Sequence, residues 1–407
     1  MKILLINHYA GSPEMGMEFR PYYLAREWVK NGHEVTIVAG SFSQVRSIQP
    51  DFKGKYNENV IDGINYFWIK TPKFEGNGFG RILNILAFIV RLSLKASYLS
   101  KRFTPQIVIA SSTYPMDIYP ARKIAKKTKA KLVYEVHDLW PLSPMELGGY
   151  SKNHPFIMIV QRAEDYAYKN CDHVISMLPK TLDYMKSRGL DPVKWHFNPN
   201  GIVPDEWSLI NKLPETHVKL FNELKAKNSL IVGYTGSFGL SNSVHTFIEA
   251  AKFLKDENIS LVLVGKGPEK EKLLQIISEK KLNNVHFLPA VPKTDIPYVL
   301  SLMDILFIGL QKQSLFRFGI SPNKMIDYMM AEKPVIQAIE AGNNIVEEAQ
   351  CGLFVEPENP EAIASAIMKM KNIPEFEKQK MGSNGKKFVL ENHDYRILAE
   401  KFLKHLS

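Results

Sequence analysis

The sequence predicts an α/β protein made of two Rossmann-like domains, each built on a parallel sheet. Short apolar runs rich in β-branched residues alternate with helical patterns along most of the 407 residues. Apolar strands joined by crossover helices are typical of parallel sheets covered on both faces. A strand, a glycine-bearing turn and a helix occur in this order at the start of each half, and a polar stretch separates the halves. We therefore expect two domains that face each other across a cleft.

Composition fits a globular protein and narrows the class of partner. Hydrophobic residues make up 45% of the chain and charged residues 23%, which excludes a disordered or fibrous protein. Lysine and arginine exceed aspartate and glutamate by 52 − 42 = 10. This excess favours nucleotide phosphates, nucleic acid or an anionic membrane surface as partner. The two cysteines, Cys171 and Cys351, are far apart in sequence, which indicates a reducing compartment without a disulfide framework.

No segment has the pattern of a signal peptide or a membrane span. The apolar run at 3–6 is too short for a signal-peptide core. The longest apolar stretch, 82–90, is interrupted by Arg91 and Lys95 before the ~18–20 residues needed to cross a bilayer. We therefore expect a cytoplasmic chain that begins with a buried strand.

Six strands are predicted in each half, and helical patterns separate nearly all of them. In the first half they cover 2–7, 34–39, 106–111, 131–137, 173–177 and 195–198, and 64–69 adds a local hairpin. In the second half they cover 230–235, 260–265, 285–288, 304–308, 334–338 and 352–355. The run 198–201, Asn-Pro-Asn-Gly, and the polar stretch 203–215 mark the linker. We expect an N-terminal domain at 1–200 and a C-terminal domain at 201–385.

The turn after the first strand lacks the dinucleotide-binding pattern. Gly11 and Gly16 bound this turn, but GxGxxG is absent and no acidic residue ends the second strand. An NAD-dependent enzyme is therefore disfavoured. The two glycines fit either a flexible turn or a close approach of the backbone to a substrate.

A histidine–aspartate pair ends the strand at 131–137. His137 and Asp138 fall at the carboxyl edge of the predicted sheet, where ligands bind in such domains. A histidine at this position can donate a hydrogen bond, orient a hydroxyl group or carry a proton. The alternative is a structural pair, with His137 bonded to a backbone carbonyl and Asp138 capping a turn.

Glycine-rich turns in the second half suit a phosphate group. Gly236, Ser237 and Gly239 precede a helix that begins near Asn242, and the free amides of a helix N-terminus favour an anion. Lys266 lies between two glycines after the next strand and adds a point charge. Either turn alone also fits an ordinary capped helix with solvated charges.

A third phosphate-binding candidate opens the helix after the strand at 304–308. Ser321 has the character of an N-cap and Pro322 that of a first helical residue. The first amides of this helix, with Lys324 beside them, can hold a diphosphate, and Asp327 can accept a hydrogen bond from a ribose diol. Three such elements at the edge of one sheet predict a nucleotide site.

Motifs of several other enzyme classes are absent from the sequence. It contains no DxD or HExxH motif, and its eleven histidines have no metal-ligand spacing. It also lacks a GxSxG nucleophile elbow and a P-loop, which argues against acyl transfer and P-loop NTP hydrolysis. We expect no bound metal and no resident cofactor.

The segment 81–102 has an amphipathic pattern that suits an anionic lipid interface. Basic and aromatic residues share one predicted helix face, and apolar residues such as Ile85, Leu86 and Leu92 form the opposite face. The membrane-contacting residues we expect on the basic face are Arg81, Phe88, Arg91, Lys95 and Arg102. The alternatives are a core-packed helix with a solvated basic face and nucleic-acid binding, for which no motif is present.

Over essentially its whole length the sequence resembles the family 4 glycosyltransferases of the GT-B fold. The resemblance depends on the order and spacing of short motifs. They are Glu18-Phe19-Arg20, Gly32-His33-Glu34-Val35, His137-Asp138-Leu139-Trp140-Pro141, Asn200-Gly201, Gly265-Lys266-Gly267-Pro268, Val285-His286-Phe287-Leu288, Ser321-Pro322-Asn323-Lys324, Asp327-Tyr328-Met329 and Pro334-Val335-Ile336. The pattern is most similar to bacterial enzymes of O-antigen, capsule and exopolysaccharide synthesis, including the N-acetyl-L-fucosamine transferase branch.

The sequence departs from the family pattern at two places. The usual pair of glutamates eight positions apart reads Gly319 and Asp327, so the first carboxylate is missing. Two cations that usually grip the diphosphate are also missing, and Lys324, Lys266 and Arg317 are candidate replacements.

The resemblance implies that a nucleotide sugar, UDP-linked, binds the C-terminal domain. Backbone groups around Val291 would read the base, and Asp327 would hold the ribose. The amides of Asn323 and Lys324 would hold the diphosphate, and His137 would touch the transferred sugar.

The same resemblance places the acceptor on the N-terminal domain, beside Gly16, Glu18 and Arg20. The final segment, 386–407, would cross back to that domain. The reaction would retain the anomeric configuration without a metal, and the leaving phosphate would take the proton of the acceptor. The protein would position the reactants and stabilise charge on the diphosphate.

The implied donor sugar is an N-acetylated amino sugar, and the implied acceptor is a lipid-linked glycan of the undecaprenyl diphosphate type. The protein would then lie peripherally on the inner face of the cytoplasmic membrane. Two other functions stay open: a GT-B-fold sugar-nucleotide 2-epimerase, and a basic binding protein without catalysis.

Overall fold

Two compact α/β units form the chain. The computed structural model describes residues 1–16, 19–76, 78–207 and 213–406. One unit contains Met1–Asn200 and Tyr395–Ser407, and the other contains Gly201–Asp394. Each is built on a largely parallel sheet, so the predicted fold class of two parallel-sheet domains is confirmed.

The first sheet has eight strands in the order β3-β4-β2-β1-β5-β6-β7-β8, and β3 alone is antiparallel to its neighbour. These strands are β1 (Lys2–Ile6), β2 (Glu34–Gly40), β3 (Tyr56–Ile61), β4 (Ile64–Ile69), β5 (Ile107–Ala110), β6 (Lys131–Val136), β7 (His173–Ser176) and β8 (Trp195–Phe197). β3 completes the hairpin predicted around 64–69.

The second sheet has six parallel strands in the order β11-β10-β9-β12-β13-β14. They are β9 (Leu230–Ser237), β10 (Ile259–Lys266), β11 (Val285–Leu288), β12 (Ile305–Gly309), β13 (Val335–Ala338) and β14 (Gly352–Phe354). Each of the predicted strands is present in the two sheets, with only small differences at the ends.

Helices connect the strands and cover the sheets. They are α1 (Phe19–Lys30), α2 (Phe79–Phe103), α3 (Ile118–Thr128), α4 (Leu142–Glu146), α5 (Pro155–Asn170), α6 (Leu182–Ser187), α7 (Glu215–Ala226), α8 (Val244–Ala250), α9 (Lys270–Lys280), α10 (Ile296–Ser301), α11 (Asn323–Met330), α12 (Ile345–Glu348), α13 (Pro360–Asn372), α14 (Glu375–Asn392) and α15 (Tyr395–Lys404). The central strands are buried along nearly their whole length because helices shield both faces.

The core of the second unit anchors the turns at the carboxyl edge of its sheet. Phe247 of α8 stacks on Phe307 of β12, with ring centres 4.3 Å apart, in one apolar cluster. Phe238, from the turn after β9, is fully buried in the same cluster. A second cluster contains Met325 and Tyr328 of α11. The edge turns are therefore fixed by packing as well as by hydrogen bonds.

The final helix belongs to the first unit and begins later than predicted. We predicted the crossover at 386, but α14 continues to Asn392 within the second unit. It packs closely there, because a Cβ atom on Gly382 would lie only 2.1 Å from the Glu332 carbonyl oxygen. The crossover element is α15, in which the Ala399 carbonyl accepts a hydrogen bond of 2.9 Å from Trp28 Nε1 of α1.

Helix α2 has the length and composition of a membrane-crossing helix. Its most apolar 18-residue window has a mean hydropathy of 1.6, and 33% of that window is buried in the protein. The helix is apolar enough to cross a membrane even though it contains the charged residues Arg91 and Lys95. The property is weak evidence for a span, since core helices of globular proteins share it, and α2 also packs against β4 and α3 of the first unit.

Candidate active site

Two glycine turns at the carboxyl edge of the second sheet pack directly against each other. The backbone N–H of Phe238 donates to the Lys266 carbonyl at 2.9 Å. A Cβ atom on Gly265 would lie 1.9 Å from the Gly236 carbonyl oxygen, and one on Gly267 would lie 2.5 Å from the Phe238 backbone. Only glycine allows this approach, which joins two of the three predicted phosphate-binding elements.

Helix α11, the third predicted element, is fastened to the end of β9. The Tyr328 hydroxyl accepts the backbone N–H of Thr235 at 2.7 Å. One turn earlier, Lys324 Nζ donates to the Tyr234 hydroxyl at 2.7 Å and to Asn242 Oδ1 at 3.3 Å. These contacts hold the start of α11 beside the end of β9, which contains Gly236 and Ser237, and beside Gly239 in the turn that follows.

Near neutral pH, part of the Lys324 amine is uncharged and can gain a proton. Burial lowers its pKa to about 7. Its Nζ lies 4.0 Å from the ring centre of Tyr234, whose hydroxyl donates to the Ser237 carbonyl at 2.6 Å. A bound phosphate favours the charged form of a lysine, so an arriving diphosphate can be matched by a cation at this position.

The residues predicted to hold the ribose and the base also lie near each other. Burial raises the pKa of Asp327 to about 6, and the charge of Lys293 opposes this rise. Lys293 follows Val291 by two residues, in the segment after β11. Asp327, on the same helix as Lys324, therefore faces the segment predicted to read the base.

The start of α11 differs by one residue from the prediction. The first helical residue is Asn323, and Pro322 precedes it with extended backbone angles (φ −77°, ψ 127°). Ser321 is therefore not the N-cap, because the extended Pro322 takes that position. Asn323 and Lys266 are exposed at the edge, as is Ser237 in the neighbouring turn.

Gly319, at the position of the family's first glutamate, has a backbone that other residues rarely adopt. Its angles are φ 96° and ψ 174°, a region used almost only by glycine. Asn343 fixes the next residue, because its Oδ1 accepts the Ile320 N–H at 2.8 Å and its Nδ2 donates to the Ile320 carbonyl at 3.1 Å. The loop at Gly319 therefore has a backbone shape that a glutamate at this position would rarely adopt.

In the first unit, His137 is joined to a buried carboxylate. Its Nε2 lies 3.0 Å from Ser111 Oγ and 3.4 Å from Glu135 Oε2. Ser111 Oγ donates to the same carboxylate oxygen at 2.6 Å. The charges of Arg20 and His137 and these hydrogen bonds lower the pKa of Glu135 to about 2 despite its burial. Asp138 is exposed beside them, within electrostatic range of His137.

Arg20 is an internal partner of this network and does not line an open acceptor surface as predicted. Only 4% of it is exposed. Its Nε and Nη2 donate to Glu135 Oε1 at 3.0 and 2.9 Å, and the guanidinium also bonds to Asn198 and to the Pro199 carbonyl. The prediction failed because the buried acid that pairs with Arg20 is distant in sequence.

The other two predicted acceptor residues have different outcomes. Gly16 has φ 100°, and a Cβ atom there would lie 2.9 Å from Ser47 Oγ, so its close approach is to the loop at 43–49. Glu18 lies outside the described residues, and its role stays a prediction.

The face of α2 that was predicted to contact a membrane points largely toward the protein. Phe88 is fully buried and stacks on His8 with ring centres 4.2 Å apart, so its assignment as a membrane contact was wrong. Arg91 donates to the Lys70 carbonyl, Lys95 lies over the Tyr56 ring, Arg102 is 3.7 Å from Glu58, and Arg81 lies over the Trp140 ring.

Instead, α2 exposes an apolar stripe. It consists of Phe79, Leu83, Leu86, Val90 and Leu94, which are 72%, 44%, 50%, 55% and 75% exposed. Apolar residues surround most of this helix, so periodicity alone did not determine which of them would be buried. In the structure Phe88 faces His8, and Lys95 and Arg102 face strand β3 of the hairpin.

Sequence reasoning missed Glu135, Ser111 and Asp117. An acid within a strand that is otherwise apolar was the available signal for Glu135. Asp117 is fully buried, accepts the Ser112 N–H at 2.9 Å, and has a pKa raised to about 7 by burial. Among the described residues, no group of three or more His, Cys, Asp or Glu side chains could hold a metal ion.

Family models match both units of the chain. The model described as Glycosyltransferase Family 4 matches residues 15–206, and the model described as Glycosyl transferases group 1 matches residues 217–388. A curated relative, the putative colanic acid biosynthesis glycosyl transferase WcaI of Escherichia coli K12, is 23% identical over 367 residues, which cover 86% of this chain and 87% of the relative.

Solved structures share the fold over the whole chain. Anabaena HepE in complex with UDP-glucose has a TM-score of 0.67 and 16% identity, with 100% of this chain and 99% of that chain covered. The Escherichia coli trehalose-6-phosphate structure bound with UDP-2-fluoro glucose has a TM-score of 0.71 and 12% identity, with the same coverage. The two family models, which together cover both units, show that the chain belongs to the family 4 glycosyltransferases, and the solved structures show that its fold is GT-B.

Proposed function

We propose that the protein is a retaining glycosyltransferase that moves an N-acetylated amino sugar from a UDP-sugar to a lipid-linked glycan during bacterial surface polysaccharide synthesis. The observation that carries the donor half of this proposal is the cluster around Lys324. There, two glycine turns in direct contact and the first turn of α11 surround the half-buried Lys324 at one sheet edge. Such a set of amides and one cation suits a diphosphate.

The choice of UDP, and of a polysaccharide product, is supported by relatives. HepE was solved with UDP-glucose, and WcaI is described as a colanic acid biosynthesis transferase. We extend the proposal to O-antigen or capsule synthesis from the resemblance of the sequence motifs to those of such enzymes. The N-acetylated amino sugar rests on the resemblance of the sequence to the N-acetyl-L-fucosamine transferase branch.

The site residues of each unit suggest how the reaction would be assisted. As the bond to the diphosphate breaks, negative charge grows on the phosphate, and Lys324 with the amides of α11 would stabilise it. Asp327 would fix the ribose, which positions the sugar without taking part in bond breaking. His137 would contact a hydroxyl of the transferred sugar. The leaving phosphate would accept the proton of the acceptor hydroxyl, so no protein base and no metal is assigned to this step.

A membrane surface as partner is supported by the exposed stripe of α2. Leu86, Val90 and Leu94 offer apolar side chains, and Lys101 and Lys126 add exposed cations on α2 and its packing partner α3. An apolar stripe with nearby cations suits the interface of an anionic bilayer. A protein held there, on the inner face of the cytoplasmic membrane, could reach an acceptor of the undecaprenyl diphosphate type.

Product analysis tests this function. We expect UDP-N-acetylhexosamines to transfer their sugar to a lipid diphosphate glycan in the presence of EDTA, with retained anomeric configuration by NMR. Lys324→Ala and Asp327→Ala should weaken nucleotide binding, and His137→Ala should mainly lower turnover. Unchanged nucleotide affinity in both second-unit variants would contradict the site assignment, and conversion of the donor without an acceptor would identify an epimerase.

A further inference from the structure

A buried hydrogen-bond chain behind His137 determines which nitrogen of its ring can serve a substrate. The chain runs from Arg20 through Glu135 and Ser111 to His137, at the carboxyl ends of β5 and β6. Glu135 and Ser111 have no exposed surface. They cannot touch a sugar, so any effect they have on the reaction acts through His137, whose side chain is 10% exposed.

The position of each proton in this chain follows from the distances. Ser111 Oγ and Glu135 Oε2 are 2.6 Å apart, which requires a hydrogen between them. Glu135 is ionised, since two N–H groups of Arg20 bond to its other oxygen. The single hydrogen of the serine therefore points to the carboxylate. The serine oxygen then accepts from His137 Nε2 at 3.0 Å, so Nε2 carries a hydrogen.

We propose that Glu135 is a positioning residue for glycosyl transfer: through Ser111 it keeps the imidazole proton of His137 on Nε2, which makes Nδ1 the nitrogen that accepts a hydrogen bond from a hydroxyl of the transferred sugar. A neutral imidazole has one donor and one acceptor nitrogen, so fixing the first determines the second. The role of the sugar rests on the proposed function, whereas the tautomer is a property of the protein alone.

The charges around His137 determine how pH acts on this arrangement. Glu135, Asp117 and Asp138 lie within electrostatic range of the ring, and Arg20 lies behind Glu135. A nearby carboxylate favours the protonated ring, in which both nitrogens donate and the acceptor is lost. Activity should therefore fall on the acid side. Removing the charge of Glu135 should move this acid limb of the kcat/KM profile to lower pH.

The tautomer can be measured without any substrate. The ¹⁵N chemical shifts of His137 in histidine-labelled protein, assigned with a His137→Gln variant, distinguish the two neutral forms. We expect the Nε2–H form in the wild type at pH 8 and a mixture or the Nδ1–H form in Ser111→Ala and Glu135→Gln. An Nδ1–H ring in the wild type would overturn the proposal, whether or not a donor sugar has been found.

Kinetics test whether the tautomer matters. Glu135→Gln should lower kcat about a hundredfold with little change in KM for the UDP-sugar, as expected when a catalytic histidine is held in the wrong tautomer. It should also move the acid limb down by about one pH unit. In the double variant with His137→Ala, Glu135→Gln should add no further loss, since its effect passes through the ring.

A structural role for Glu135 would give a different result. Glu135→Gln weakens the buried pair with Arg20, so Ser111→Ala, which leaves that pair intact, serves as the parallel variant and should lower kcat about tenfold. Additive losses in the double variant, or full activity of Ser111→Ala, would overturn the proposal. If the wild type transfers no sugar from any UDP-sugar, the proposed function fails instead, and the ¹⁵N measurement still decides the tautomer.

Discussion

At the scale of single residues, we expect Lys324 to make nucleotide binding depend on pH. Its pKa is about 7 in the free protein, and a bound diphosphate favours its charged form. UDP binding should therefore take up a proton above pH 7, and UDP affinity should fall by up to about tenfold per pH unit between pH 7 and 9. Titration calorimetry in two buffers of different ionisation enthalpy measures this uptake.

Two variants test whether Lys324 is the group that causes this pH dependence. Lys324→Met should bind UDP at least about tenfold more weakly, with an affinity that no longer depends on pH in this range. Lys272→Met, which removes a side chain that is 67% exposed on α9, should behave as the wild type. An equally steep pH dependence in Lys324→Met would show that another group titrates.

Gly319 gives a prediction that runs against the family pattern. Restoring the family's glutamate with Gly319→Glu should lower both stability and transfer, because the backbone at φ 96° and ψ 174° is strained for any residue with a Cβ atom. A cost of about 1–3 kcal/mol in the free energy of unfolding is expected. Denaturant unfolding measures it, and a variant that is as stable as the wild type and more active would refute this view of the loop.

The sequence predicts where single site residues lie in the sheet, but it does not predict which buried charges pair. Lys324, Asp327 and Val291 were placed correctly at one edge because each follows a predicted strand of the same sheet. The pairing of Arg20 with Glu135 could not be predicted, because the two side chains meet only in the folded chain and are 115 residues apart in sequence. An acid in an otherwise apolar strand signals a buried charge, as at Glu135, but it does not say which residue pairs with it.

At the scale of elements, the strands could be predicted from the sequence, but the face of α2 that is buried could not. A strand such as β1 has one apolar pattern that fits a sheet covered on both faces. Helix α2 has apolar residues around most of its circumference, and stacking of Phe88 on His8 decided which of them were buried. The boundary near 386 failed for a different reason: Gly382 and Gly385 lie inside α14, where they pack closely on the second unit, and the helix continues past them to Asn392.

The exposed stripe of α2 should carry membrane binding. The triple variant Leu86→Glu, Val90→Glu and Leu94→Glu places three charges on the exposed stripe and should weaken binding to anionic vesicles by more than about tenfold, since each of these apolar side chains contributes on the order of 1 kcal/mol when buried in lipid. Vesicle sedimentation measures the loss. The unfolding temperature should hardly change, because these side chains are exposed.

A matched control introduces the same charges elsewhere. Val193→Glu, Leu274→Glu and Phe376→Glu also replace exposed apolar residues, which are 76%, 37% and 67% exposed, and they should leave vesicle binding unchanged. If both triple variants sediment with vesicles as the wild type does, α2 only packs against the protein. The membrane would then be reached in another way.

At the scale of the whole molecule, one unit carries the proposed nucleotide-binding edge and the other carries the edge with His137. The first edge is organised by Lys324 and the glycine turns, and the second by Glu135 and Arg20. The family assignment accounts for this division, because family models match each unit in turn. The chain has a glycine at 319, where the family pattern has a glutamate, and the half-buried Lys324 at the proposed diphosphate site.

Thermal unfolding with UDP, GDP, ADP, CMP and NAD, each with and without EDTA, tests the proposed nucleotide site most directly. UDP at about 100 times its dissociation constant should add roughly 2.7 kcal/mol to the free energy of unfolding. We expect this stabilisation with UDP alone, unaffected by EDTA, and reduced in Lys324→Met but not in Lys272→Met. No stabilisation by any nucleotide, or an equal effect in Lys324→Met, would contradict a UDP-sugar site around Lys324 in the second unit.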